Sequence, residues 1–179
     1  MYKEILNEEA VYYGGVNCPK GYEIHREQIK YAMMYGYLEK SKNKKTPVQP
    51  LNHTIHLSFL NSYISDFFKL QQKGKSSLVL KESFSFILKQ DDNIQKNNYF
   101  NPYDIEGSPV YTMIYGVELE NKSSEVIIYH NNKKRVNLHA RYPLKNNCFV
   151  MFPSHLNFEI TKNISKLNGF YLVNNYFEI

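Results

Sequence analysis

Residues 77–179 break into short alternating stretches separated by polar turns, and this pattern constrains the fold more than any other feature. "SLVLKESFSFILKQ" (77–90) sets Phe84, Phe86 and Leu88 against Ser83 and Ser85. That period of two suits a half-buried strand. Similar runs follow at 108–119, 124–130, 135–143, 147–153, 156–161 and 169–179, parted by "ENKS", "HNNKK" and "LKNN". Each strand offers one apolar face, which needs a second layer to bury it. Many short strands with polar turns therefore predict a two-sheet sandwich or jelly roll. Residues 91–104 are expected to form a long polar loop.

The first part of the chain reads as helical. "GYEIHREQIKYAMMYGYLEK" (21–40) puts Ile29, Ala32, Met33, Gly36 and Tyr37 at helical spacing. A basic stretch, "KSKNKKTPVQP" (40–50), is kept extended by Pro47 and Pro50. A second helix follows, with Leu57, Leu60, Ile64, Phe67 or Phe68, and Leu70 as its apolar stripe and Gly74 as its end. The fold class expected is mainly β with N-terminal helices (α+β). It would be a single domain over 1–179, with a helical layer (1–75) packed on one sheet of a β core (77–179).

Composition supports a packed core. Of 179 residues, 42% are hydrophobic and 15% aromatic, with no Trp but 16 Tyr and 11 Phe. The net charge of +5 is spread among acidic residues. A solvated surface is the expected result, and nucleic acid is not an expected partner. The basic clusters Lys42, Lys44, Lys45 and Lys133, Lys134, Arg135 are candidate contacts for an anionic partner. Cys18 and Cys148 are expected to be reduced thiols. The N-terminus shows no basic region followed by an apolar run, so no secretory signal is expected. No stretch approaches the ~18 apolar residues of a membrane span.

Candidate chemistry is sparse. His53 and His56 share a helical spacing that suits metal ligation, and also suits surface histidines. Asp104 and Glu106 in "YDIEG" would point the same way in an extended segment, or form a turn bonded to its own backbone. His130, His139 and His155 lie in the strand region, each more readily structural than catalytic. No phosphate-binding glycine loop and no Cys-x-x-Cys pair is present.

"SPVYTMIYGVEL" (108–119) and "FPSHLNFEITKN" (152–163) resemble segments of phage-encoded relatives of the 2-oxoglutarate/iron(II) dioxygenases. The resemblance covers roughly residues 99–179 and implies a double-stranded β-helix. In that family a metal-binding His-x-Asp or His-x-His precedes the first of these strands. A distal metal-binding His lies in the second segment, and an Arg on the final strand pairs with the 2-oxoglutarate carboxylate. The resemblance puts the first ligands near Asp104 and Glu106, the distal His at Phe158 and the Arg near Asn168. Phe cannot ligate a metal, and Asn cannot neutralise a carboxylate as a bidentate Arg does.

The function expected from this pattern is a non-catalytic jelly-roll subunit of a phage virion. It would reside in the host cytoplasm during synthesis, bind other protein subunits, possess no cofactor and have the option of homo-oligomers. One alternative is an iron(II) and 2-oxoglutarate oxygenase using Asp104, Glu106 and His155. Another is a cupin-like small-ligand module, which a barrel plugged by Phe84, Phe86, Phe149 and Phe158 would exclude.

Overall fold

The structure is a computed structural model that describes residues 2–6, 9–17, 24–42, 55–131 and 137–179. Ten strands and two helices lie along the chain among these residues. They are β1 (Tyr2–Leu6), β2 (Glu9–Gly15), α1 (Arg26–Lys42), α2 (Ile55–Gln71), β3 (Leu78–Leu88) and β4 (Ile94–Asn97). Then come β5 (Tyr111–Glu118), β6 (Val126–Asn131), β7 (Asn137–Tyr142), β8 (Cys148–Pro153), β9 (Asn157–Ile160) and β10 (Gly169–Glu178).

The strands form two antiparallel sheets. One has six strands in the order β1-β2-β8-β5-β10-β3, the other four in the order β4-β9-β6-β7. From β3 onward the chain passes repeatedly from one sheet to the other, so sequence neighbours often sit in different layers. The fold is therefore mainly β, with two helices packed on the larger sheet.

Each face of the larger sheet is covered. α2 packs on β3 and α1 on β5. Ile29, Met33, Leu60, Ile64 and Phe68 meet Met113, Tyr115, Phe149 and Leu172 in one buried cluster. The opposite face meets the smaller sheet through Ile114, Val150, Phe152, Tyr171 and Val173, which pack with Val126, Ile128, Phe158 and Ile160. Burial on both sides explains the unbroken run of buried residues along most of β10.

Three expectations change. The first residues are not helical: β1 and β2 form a hairpin that extends the larger sheet beyond β8. "EAVYYGG" alternates Val11 and Tyr13 towards the smaller sheet with Tyr12 towards the helices, which is the strand period. The polar loop at 91–104 contains β4, an edge strand whose Ile94 pairs with Ile160. One inward residue beside exposed polar ones leaves almost no periodic signal. Leu70 is 77% exposed and lies off the α2 stripe, whereas Leu57, Leu60, Ile64, Phe67 and Phe68 are buried. Gly74 ends α2 with a φ of 77°, where its N–H donates to the Lys69 carbonyl at 2.8 Å.

Candidate functional site

The "FPS" corner lies where β8 ends and β9 begins. The Ser154 N–H donates to the Val110 carbonyl (2.9 Å), and the Leu156 N–H donates to Pro153 (3.0 Å). These bonds turn the chain from the larger sheet to the smaller within a few residues. β9 then points Phe158 between the sheets, fully buried. Its ring lies 5.4 Å from Phe152 and 5.8 Å from Tyr99, and Tyr99 stacks on Phe84 at 5.5 Å with the planes 7° apart. Four aromatic rings therefore occupy the interior behind this corner. The Tyr99 phenol is pushed well above its ordinary value, first by burial and second by the Glu82 charge, so it stays neutral.

A polar layer borders these rings. Thr112 donates to the Asn175 side-chain oxygen at 2.8 Å. Its other hydroxyl contact, to Ser154 at 2.8 Å, then has Ser154 as the donor, because a hydroxyl has one proton to give. The Asn175 amide donates to Glu82 at 3.0 Å. Thr112, Ser154 and Asn175 are buried. Hydroxyls and amides satisfy one another here, and the layer contains one carboxylate.

The residues singled out in the sequence do not converge on this interior. Asp104 and Glu106 are exposed, and Asp104 Oδ1 accepts from the Gly107 N–H at 3.0 Å. That is the local turn, closed within the loop itself. His155 points outward, with Nε2 2.6 Å from Glu9 Oε1 on β2 and its ring edge-on to Phe100. Asn168 is exposed in the turn before β10, whereas Tyr171, Val173 and Asn175 are the β10 positions that face inward. Phe149 faces the helices and packs 6.0 Å from Phe67, so the interior plug is Phe84, Phe86 and Phe158 without it. His139 is exposed beside Tyr129, and His130 lies half-buried on β6. His56 is the second residue of α2, and Lys42 ends α1. His53, Lys44, Lys45, Lys133, Lys134, Arg135 and Cys18 lie outside the described residues.

Sequence reasoning missed Tyr99, Glu82, Thr112 and Asn175. Tyr99 sits in the polar loop and acquires its position through contacts with Phe84 and Phe158, which are remote in sequence. The inward alternation of β3 was the available signal for Glu82, two residues before Phe84.

An iron(II) facial triad needs imidazole and carboxylate donors around open positions. Among the described residues, no group of three His, Cys, Asp or Glu side chains is placed to hold a metal ion. The interior donors are a phenol, a carboxamide, two hydroxyls and the Glu82 carboxylate, and this set does not fit the iron centre.

No protein-family model and no curated protein matches the sequence. The fold is nevertheless shared with solved structures. A Pseudomonas putida prolyl-4-hydroxylase aligns with a TM-score of 0.57 at 6% identity, over 93% of this chain and 86% of the other. An oxidoreductase of the 2OG-Fe(II) oxygenase family from Burkholderia pseudomallei aligns with a TM-score of 0.54 at 10% identity, over 89% and 92%. The non-heme alpha-ketoglutarate-dependent carbocyclase SnoK from nogalamycin biosynthesis gives 0.57 at 10% identity, over 92% and 78%. At such identities the likeness is one of fold. No helix among the described residues is long and apolar enough to cross a membrane.

Proposed function

We propose that this chain is a double-stranded β-helix protein that keeps the oxygenase scaffold without its iron and 2-oxoglutarate chemistry. Its work is contact with other protein subunits of an assembly. The observation that carries the reading is the aromatic filling of the interior, where Phe158 lies against Phe152 and Tyr99, and Tyr99 stacks on Phe84. Strand orders β8-β5-β10-β3 and β4-β9-β6-β7, with the chain passing between the two sheets, support the double-stranded β-helix. Fold alone does not carry activity.

The sequence resemblance is the support for taking a phage particle as the assembly, with synthesis in the host cytoplasm. An exposed stripe on α1 supports a contact role. Tyr31 and Tyr35 are 67% and 68% exposed one turn apart, with Met34 between them at 41%. Tyr and Met are the residue types enriched in protein interfaces.

The test is calorimetric titration of the protein with iron(II) under anaerobic conditions, with and without 2-oxoglutarate, followed by assay for succinate. The reading expects no saturable stoichiometric iron site and no succinate. Stoichiometric iron that disappears in Asp104→Ala, Glu106→Ala or His155→Ala, together with succinate formed by the wild type, would overturn it in favour of the oxygenase reading.

A further inference from the structure

α1 is apolar on two opposite sides. Ile29 and Met33 are buried in the core against the larger sheet. Tyr31, Met34 and Tyr35 form an exposed stripe on the other side, where a surface helix ordinarily sets charged residues. The stretch "YAMMY" (31–35) contains no charge. The cations just before it are turned towards the sheet. Arg26 Nη1 donates to the Val117 carbonyl at 3.2 Å. Lys30 Nζ lies 2.7 Å from Glu118 Oε2 and 5.3 Å from the Phe170 ring. A helix that is apolar on both sides needs a cover on both.

The charges at the helix ends select that cover. Glu27 stands in the first turn with its side chain 68% exposed. At the other end Lys40 and Lys42 outnumber Glu39. A second α1 laid antiparallel, about a centre between Met34 and Tyr35, sets Met34 opposite Tyr35 and Glu27 opposite Lys42. Each end of the pair then unites opposite charges, and the two helix dipoles run in opposite directions. A parallel pair would set Glu27 against Glu27 and lysine against lysine. Four tyrosines would supply on the order of 600 Å² of the ~1,200 Å² at which standard-sized interfaces begin, so the pair is a weak one with a micromolar Kd.

We propose that the α1 stripe pairs antiparallel with the same stripe of a second copy, giving a two-fold dimer. The inference rests on the reading that this scaffold works by contact with protein subunits, and it names one such subunit, the chain itself.

Sedimentation equilibrium between about 1 and about 200 µM protein is the test. The mean mass should rise towards twice that of the chain. Tyr31→Ser/Tyr35→Ser should weaken dimerisation at least about tenfold. Both side chains are exposed, so the dilute variant should unfold at the temperature of the dilute wild type. At low salt Glu27→Lys should weaken the dimer about threefold or more, and Glu27→Lys/Lys42→Glu should restore it, because exchanging both ends re-creates the pairs. A parallel dimer would show neither effect. A monomer throughout the range, a dimer undiminished by the tyrosine substitutions, or indifference to the charge exchange would each overturn the proposal. Iron titration separates it from the reading beneath it. A monomer that binds no iron sinks the dimer alone, and a dimer that binds iron and forms succinate sinks the non-catalytic reading alone.

Discussion

Phe158 is held against two other rings, and its replacement should show what an interior aromatic contributes to stability. The side chain is fully buried against Phe152 and Tyr99. Phe158→Ala should destabilise the protein by about 3–5 kcal/mol, from lost transfer energy plus the cavity left behind. Phe158→His should also destabilise, because an imidazole there enters an apolar cluster, and it should not create an iron site. Urea unfolding monitored by circular dichroism measures the first, and anaerobic iron titration the second. A loss below about 1 kcal/mol for Phe158→Ala would mean that the ring is not packed as described. Gly116 makes the opposite demand. A Cβ there would press on the Lys145 carbonyl and the Leu119 side chain, closer than van der Waals contact permits. Gly116→Ala should cost about 1–3 kcal/mol through overpacking, read from the same unfolding curves.

At the scale of elements, α2 is attached to the larger sheet by a polar network as well as by its apolar stripe. Asn174 on β10 donates to Asn61 on α2 (2.8 Å) and to the Tyr176 hydroxyl (3.2 Å), and it accepts from Ser83 on β3 at 2.7 Å. The Tyr176 hydroxyl donates in turn to Asn61 at 2.7 Å. Asn174, Ser83 and Tyr176 are buried, so removing the central amide leaves partners unsatisfied in a dry interface. Asn174→Ala should destabilise by about 2–4 kcal/mol, summing the penalties of stranded groups. Asn61→Ala should cost less alone, and the double variant should fall short of the sum by at least about 0.5 kcal/mol, because one network is lost once. Strict additivity in denaturant unfolding would mean that the two amides act separately. This network also shows where the sequence is legible. β10 reads as a strand because its aromatic and β-branched residues are bounded by Gly169, and α2 reads as a helix because Leu57, Leu60, Ile64 and Phe68 repeat at its period. Nothing local marks Asn174 as the partner of Asn61. The same holds for Tyr99, whose stack on Phe84 is made by the meeting of two sheets. Asp104 and Glu106 stand before β5 in an exposed loop, where Asp104 bonds back to Gly107. Sequence proximity places such residues near a site, and the turn chemistry of the loop decides whether they enter it.

For the whole molecule, a core built from tyrosine instead of tryptophan imposes a sensitivity to alkali. Tyr99 and Tyr176 are both held well above the ordinary phenol value of 10.0, burial being the first cause in each, although the Asn174 bond partly opposes it at Tyr176. Tyr111 is pushed up to about 12, again by burial first and then by the charges of Tyr12, Glu178 and Glu9. The sign follows from linkage. In the folded state these phenols keep their protons, whereas in the unfolded chain they lose them near 10.0. The unfolded state therefore binds fewer protons as the pH rises through this range, and stability falls. Below pH 10 the folded and unfolded phenols are both protonated, and these groups add no pH dependence. The protein should thus lose stability progressively from about pH 10 to about pH 12, with buried phenolate absorbance appearing together with the loss of circular dichroism. Tyr111→Phe removes one of the groups without removing its ring. Relative to the wild type, that variant should gain stability at about pH 11 compared with neutral pH, measured as the difference between urea midpoints. Equal midpoints at both pH values would mean that Tyr111 ionises freely in the folded protein. Early phenolate absorbance without unfolding would mean the same for the buried set, and the core on both faces of the larger sheet would then have to admit water.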